Sequence, residues 1–108
     1  YENVRETMGA DAASAFSRLY MAPGVSHCFG GPGPNSFDML SALDAWVDRG
    51  EAPTSIIASR YESEYATLLD MPPGEPTRTR PLCPYPQTAH YNGSGSTDDA
   101  ANFTCRAP

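Results

Sequence analysis

The run Met21-Ala22-Pro23-Gly24-Val25-Ser26-His27-Cys28-Phe29-Gly30-Gly31-Pro32-Gly33-Pro34 constrains this chain more than any other stretch. Its glycines and prolines rule out a regular helix or strand, so the segment must be a loop. An extended apolar run, Leu19-Tyr20-Met21, leads into it and a helix-like run leads out. The backbone is therefore read as leaving a sheet, displaying His27 and turning away. Loops held by a rigid frame are common carriers of chemistry. Imidazole is the side chain whose ordinary pKa lies nearest neutrality, which suits it to proton transfer at working pH.

Length allows one small domain at most, since 108 residues bury a core with little margin. Seven Lys and Arg stand against thirteen Asp and Glu, a net charge of −6. That balance excludes nucleic acid and anionic membrane surfaces as natural partners. No apolar run approaches the roughly 18 residues that cross a bilayer.

Along the chain, Tyr1 to Gly9 reads as the end of a helix already under way, with Gly9 as terminator. Met8 to Ser17 reads as a surface connection, and residues 1–17 together as helix end and linker. Phe16 to Met21 has the look of a short strand ending before Pro23. After the histidine loop, Asn35 or Ser36 is placed to cap a helix running to about Arg49, with Asp38 in its first turn and Gly50 ending it. Phe37, Leu40, Leu43 and Val47, with Met39 and Trp46 beside them, recur at helical spacing and are expected to form one buried face. Ser55 to Arg60 reads as a second, buried strand. Residues 18–60 thus give strand, loop, helix and strand, which points to α/β layering.

Residues 61–108 differ in character. Six prolines from Pro72 to Pro86 are followed by Asn92-Gly93-Ser94-Gly95-Ser96 and Asp98-Asp99. Such a segment would drift unless tied down, and a Cys83–Cys105 disulfide is expected to tie it. Three cysteines is an odd count, so in an oxidising setting one lacks a partner within these residues. With the helix already under way at Tyr1, the expectation is a piece of a longer protein.

On its residues alone, His27 fits either a hydrogen-bonded structural role or a proton-transfer role. Ser26 is no partner for it, because neighbours in an extended loop point apart. His90 reads as a solvated surface residue. The cysteines and histidines show no CxxC or HxxxH spacing, so no metal site is expected. Gly30-Gly31-Pro32-Gly33 lacks the Lys-Ser/Thr ending of a phosphate loop. Asp98-Asp99 reads as a turn or a helix cap. Asn92-Gly93-Ser94 and Asn102-Phe103-Thr104 match the glycosylation sequon, which has meaning only in a secreted eukaryotic protein.

Two separated blocks carry a resemblance. Arg18-Leu19-Tyr20-Met21, Pro23-Gly24, His27-Cys28, Gly31-Pro32-Gly33-Pro34, Asp38-Met39-Leu40, Ala42-Leu43 and Trp46-Val47 form the first. Arg80-Pro81-Leu82-Cys83-Pro84-Tyr85-Pro86, Gly93-Ser94-Gly95-Ser96, Asp99-Ala100-Ala101-Asn102-Phe103 and Cys105 form the second. Together they resemble the C-terminal part of the tannase and feruloyl esterase family. The resemblance implies the C-terminal part of an α/β-hydrolase domain, with the lid domain and most of the sheet outside residues 1–108. It makes His27 the general base of a Ser-Asp-His triad. It pairs Cys28 with a cysteine just before the nucleophilic Ser, upstream of this chain. It also implies a small aromatic ester as substrate, either feruloyl or galloyl or of the mono(2-hydroxyethyl) terephthalate type, and a secreted or periplasmic location. No cofactor is expected in this segment, and calcium belongs to the family's lid. No Gly-Cys-Ser-x-Gly-Gly segment occurs here, and Asp11 does not match the family's acidic triad member. The segment alone is therefore expected to be inactive. The rival reading is a small non-catalytic secreted binding module, stapled by one disulfide, with a merely structural His27.

Overall fold

The computed structural model describes residues 1–28, 30–63, 65–66, 69 and 71–108. Phe29 of the histidine loop and positions 64, 67, 68 and 70 of the segment after Arg60 lie outside the described residues. Two helices open the chain, α1 (Glu2–Met8) and α2 (Ala10–Ser14), followed after the loop by α3 (Met39–Arg49). Strands β1 (Ile56–Arg60) and β2 (Arg78–Leu82) then pair antiparallel, and β3 (Thr88–Tyr91) pairs antiparallel with β4 (Phe103–Arg106). The result is two small two-stranded sheets with helices beside them.

Gly9 ends α1 as expected, at φ 86, but the chain re-enters helix at once. The surface connection read over Met8–Ser17 is thus corrected. Ala10, Ala12 and Ala13 are strong helix formers, and Ala13 is buried. The strand expected over Phe16–Met21 is a single bridge, Tyr20 to Pro84, supported by the Tyr85 N–H donating to Leu19 O at 2.8 Å. Proline at 84 has no N–H with which to extend the ladder.

Helix α3 starts at Met39, later than expected. Its cap is Asp38, whose carboxylate accepts from the Ser41 N–H at 2.9 Å and from the Ser41 hydroxyl at 2.6 Å. These bonds, the hydroxyl first, hold the Asp38 pKa below its ordinary value. Because the folded pKa is depressed, the cap stabilises α3 above the ordinary carboxylate range and is lost as pH falls through the folded value. Acidification is therefore expected to fray the first turn of α3, with the Ser41 amide losing hydrogen-exchange protection before β1 amides do. Gly50 closes the helix in the left-handed region at φ 70.

The burial of α3 departs from expectation at every position of the expected face except Trp46, which is half-buried. Leu40 is 80% exposed and Val47 75%, with Phe37, Met39 and Leu43 also exposed. The inward face is Ala42, Ala45 and Trp46. Ala42 packs against the buried cluster Ile56, Ala58 and Leu82, joined by Tyr20 and Ala22. Trp46 receives the Arg18 guanidinium 5.5 Å from its ring centroid. Arg18 also donates to Pro53 O, as does the Tyr20 hydroxyl. Burial raises the Tyr20 pKa, with Arg18 working in the opposite direction.

Residues 61–108 hold more order than their composition announces. Leu82 and Cys83 are buried, and the Cys83–Cys105 disulfide joins the end of β2 to β4. The expected bond is present.

The His27 loop as candidate active site

The histidine loop is built by close backbone approaches. Gly33 N–H donates to Gly24 O at 2.9 Å, and Ser26 N–H donates to Gly30 O at 3.0 Å. These two bonds form a stem and leave His27 and Cys28 at the exposed tip. A Cβ at Gly31 would run into Gly24 O, and one at Gly33 into Pro23 O. Glycine is therefore required at both positions by packing. Gly33→Ala is expected to cost about 2 kcal/mol of stability, as overpacking at a tight site does, read as a lowered urea midpoint. An unchanged midpoint would show that the stem has room the structure does not show.

The stem is anchored to the sheet. Asn35 and Ser36 N–H groups donate to Ser59 O, and Ser59 N–H returns a bond to Ser36 O at 2.7 Å. Ser36 thus pairs with β1 at a residue whose register partner on β2 is Thr79. Arg60 donates to Gly31 O, and Arg78 reaches Pro32 O at 3.5 Å. Arg78 is itself fixed by Asp98 at 2.6 Å. Sequence reasoning missed these two arginines: Arg60 ends β1 and Arg78 opens β2, both far from the loop in sequence, and nothing in the sequence signalled their meeting it.

Beside the stem lies a cavity of about 520 Å³, lined by Pro23, Pro34, Leu82, Phe103 and Arg80 among others. Arg80 sits over the Phe103 ring, 3.7 Å from its centroid, and burial lowers its pKa. His27 and Cys28 are at the tip, outside that lining.

At the tip, Cys28 is an exposed free thiol with φ 73. Non-glycine residues seldom adopt that conformation, so the loop holds Cys28 in it. Its Sγ lies 3.1 Å from His27 Nδ1. His27 therefore keeps Nε2 for another partner. Ser26 donates its N–H to the stem. His90 is on β3, away from the loop, with Nε2 3.0 Å from the Thr88 hydroxyl. Asp99 caps a 3₁₀ turn through Ala101 N–H, as one of the two roles expected for the acidic pair. Among the described residues, no group of three His, Cys, Asp or Glu side chains is placed to hold a metal ion.

The family model described as tannase and feruloyl esterase matches residues 1–106. A mono(2-hydroxyethyl) terephthalate hydrolase from Piscinibacter sakaiensis is 50% identical over 105 residues, covering 95% of this chain and 16% of that protein. A probable feruloyl esterase from Arthroderma benhamiae is 35% identical over 99 residues, covering 90% of this chain and 17% of its own length. Among solved structures, an esterase from Aspergillus oryzae superimposes with a TM-score of 0.80 at 26% identity, over 98% of this chain and 23% of that one. The chain thus spans about a sixth of the length of these curated relatives. By a match that runs nearly end to end, the chain belongs to the tannase and feruloyl esterase family of carboxylic ester hydrolases.

Proposed function

We propose that this chain supplies the catalytic histidine, His27, of a secreted or periplasmic serine esterase that hydrolyses esters of aromatic acids such as feruloyl or galloyl esters. The observation that carries the reading is His27 displayed beside a free, conformationally held Cys28, on a loop clamped to the sheet, in a chain of this family. The disulfide supports an oxidising compartment. In this reading residues 1–108 form the C-terminal part of an α/β-hydrolase domain, and the rest of the polypeptide brings the Ser, the Asp and the lid. Calcium belongs to that lid, and no step here passes through it.

The chemistry assigns His27 two proton transfers. Its Nε2 takes the proton from the Ser hydroxyl as oxygen attacks the ester carbonyl, then gives it to the departing alcohol. It next takes a proton from water, whose oxygen attacks the acyl-enzyme, and returns it to Ser as the acid leaves. Nδ1 must meanwhile face the triad carboxylate, yet here it faces the Cys28 sulfur. Bonding that sulfur to a cysteine beside the nucleophile frees Nδ1 and ties the histidine loop to the nucleophile turn.

The 50% identity to a mono(2-hydroxyethyl) terephthalate hydrolase favours that monoester as a second reading of the substrate. Protein expressed from the complete reading frame, assayed with methyl ferulate, methyl gallate and mono(2-hydroxyethyl) terephthalate, decides between them by kcat/KM. Turnover of none of the three contradicts the esterase reading. Residues 1–108 assayed alone are expected to turn over none, because they carry His27 without a Cys-Ser nucleophile segment.

A further inference from the structure

The turn between β3 and β4 carries a second kind of chemistry, one independent of the ester site. Asn92 is followed by Gly93, both exposed, and a Cβ at Gly93 would meet nothing within 4 Å. Glycine there leaves the approach to its nitrogen unobstructed. Among the described residues the Gly93 N–H donates no hydrogen bond, so its nitrogen is not committed to the ladder. The Asn92 side-chain carbonyl, by contrast, has a donor aimed at it. The Thr104 hydroxyl donates to Asn92 Oδ1 at 2.8 Å, across the hairpin. A donor on that oxygen draws electron density from Cγ and stabilises negative charge that develops on Oδ1 when Cγ is attacked.

We infer that Asn92 is a self-modifying site, at which the Gly93 nitrogen closes on the Asn92 side chain to give a succinimide. Hydroxide removes the Gly93 amide proton, and the nitrogen lone pair forms a bond to Asn92 Cγ. The resulting oxyanion on Oδ1 is held by Thr104. The Cγ–Nδ2 bond then breaks, and Nδ2 takes a proton from water and departs as ammonia. Water adds to one of the two ring carbonyls and opens the succinimide to aspartate or isoaspartate. No oxidant, metal or enzyme is consumed. The product carries one more negative charge on an already acidic chain, next to the point where the Asn92 N–H donates to Asn102 O at 2.8 Å. The isoaspartate form also lengthens the main chain there, at the mouth of the hairpin that holds Cys105.

Two other asparagines serve as internal controls. Asn35 is followed by Ser36, whose N–H donates to Ser59 O, and Asn102 by Phe103, whose N–H donates to Ala100 O. Both following nitrogens are engaged, and both following residues carry a side chain.

The test is incubation of the protein expressed from its complete reading frame at mildly alkaline pH, with peptide mapping by mass spectrometry over time. Asn92 is expected to convert from amide to acid while Asn35 and Asn102 remain intact. Thr104→Val should slow conversion about tenfold, less than the hundredfold or more that a buried oxyanion donor provides. Valine is at home in a strand, so the hairpin is retained. Thr104→Ser, which keeps the hydroxyl, should restore the rate. Persistence of Asn92 while Asn35 or Asn102 converts would overturn the inference. So would conversion in Thr104→Val as fast as or faster than in the parent, because the Thr104 bond would then be protecting the amide.

Discussion

Replacing His27 by alanine in the complete protein is expected to lower kcat for methyl ferulate by about 10⁴- to 10⁶-fold, the range seen when a triad member is removed. That corresponds to about 5 to 8 kcal/mol of lost transition-state stabilisation. The size follows from the proposed role: at the loop tip the Ser26 hydroxyl is too weak a base to take the serine proton, and the Cys28 thiol would be consumed by the proposed disulfide. Stability should change little, because the His27 ring is exposed and its one described polar contact is with Cys28. KM is expected to stay near the parent value, as binding depends on other parts of the site. His90→Ala is the matched control. That ring contacts Thr88 on a solvent-facing strand, and its loss should leave kcat unchanged. A His27→Ala enzyme retaining a tenth of the parent activity would reject the proton-transfer role and leave the structural one.

The second large effect is on stability. Replacing Cys83 and Cys105 together by serine is expected to cost about 3 kcal/mol, the chain-entropy value for a loop of 22 residues. The geometry explains why this bond matters here. Strands β3 and β4 form a two-stranded hairpin with largely exposed faces, and such a pair is marginal by itself in water. Cys83 follows β2 and is buried against the core, whereas Cys105 sits in β4 opposite Ala89. Cutting the bond frees the hairpin from the sheet that holds the histidine loop. Urea unfolding of the double variant should show a midpoint lowered to match, and β3 amides should exchange faster than β1 amides. An unchanged midpoint would mean that the Arg80–Phe103 stacking and the Arg78–Asp98 pair suffice to hold the tail.

How much of this was legible in the sequence depends on the element. Ser55 to Arg60 was readable because β-branched and small apolar residues run together there, and β1 occupies all but the first of those positions. Gly50 marked the end of α3 because only a residue without a side chain takes φ 70 at no cost. The face of α3 was not readable. That helix is apolar around much of its surface, so periodicity picked Leu40, Leu43 and Val47, whereas the residue that packs against the Ile56, Ala58 and Leu82 cluster is the smaller Ala42. Strand β2 escaped notice because Arg78-Thr79-Arg80-Pro81-Leu82 has no strand signature. Its pairing comes from the partner strand, with β1 as its only strand neighbour among the described residues, and an edge position tolerates Pro81. At the candidate site, His27 and Cys28 were legible as a pair in a loop. The arginines that clamp the stem were not, since Arg60 and Arg78 lie far from the loop in sequence and meet it only in the fold.

His27 is proposed to work beside a serine nucleophile to which Cys28 ties it. Disulfide mapping of the complete, unreduced protein after labelling with a fluorophosphonate tests it most directly. The labelled serine peptide is expected to be recovered linked to the peptide carrying His27 and Cys28, and to be released from it by reductant. Recovery of Cys28 as a free thiol, or joined to a peptide without the labelled serine, would contradict it.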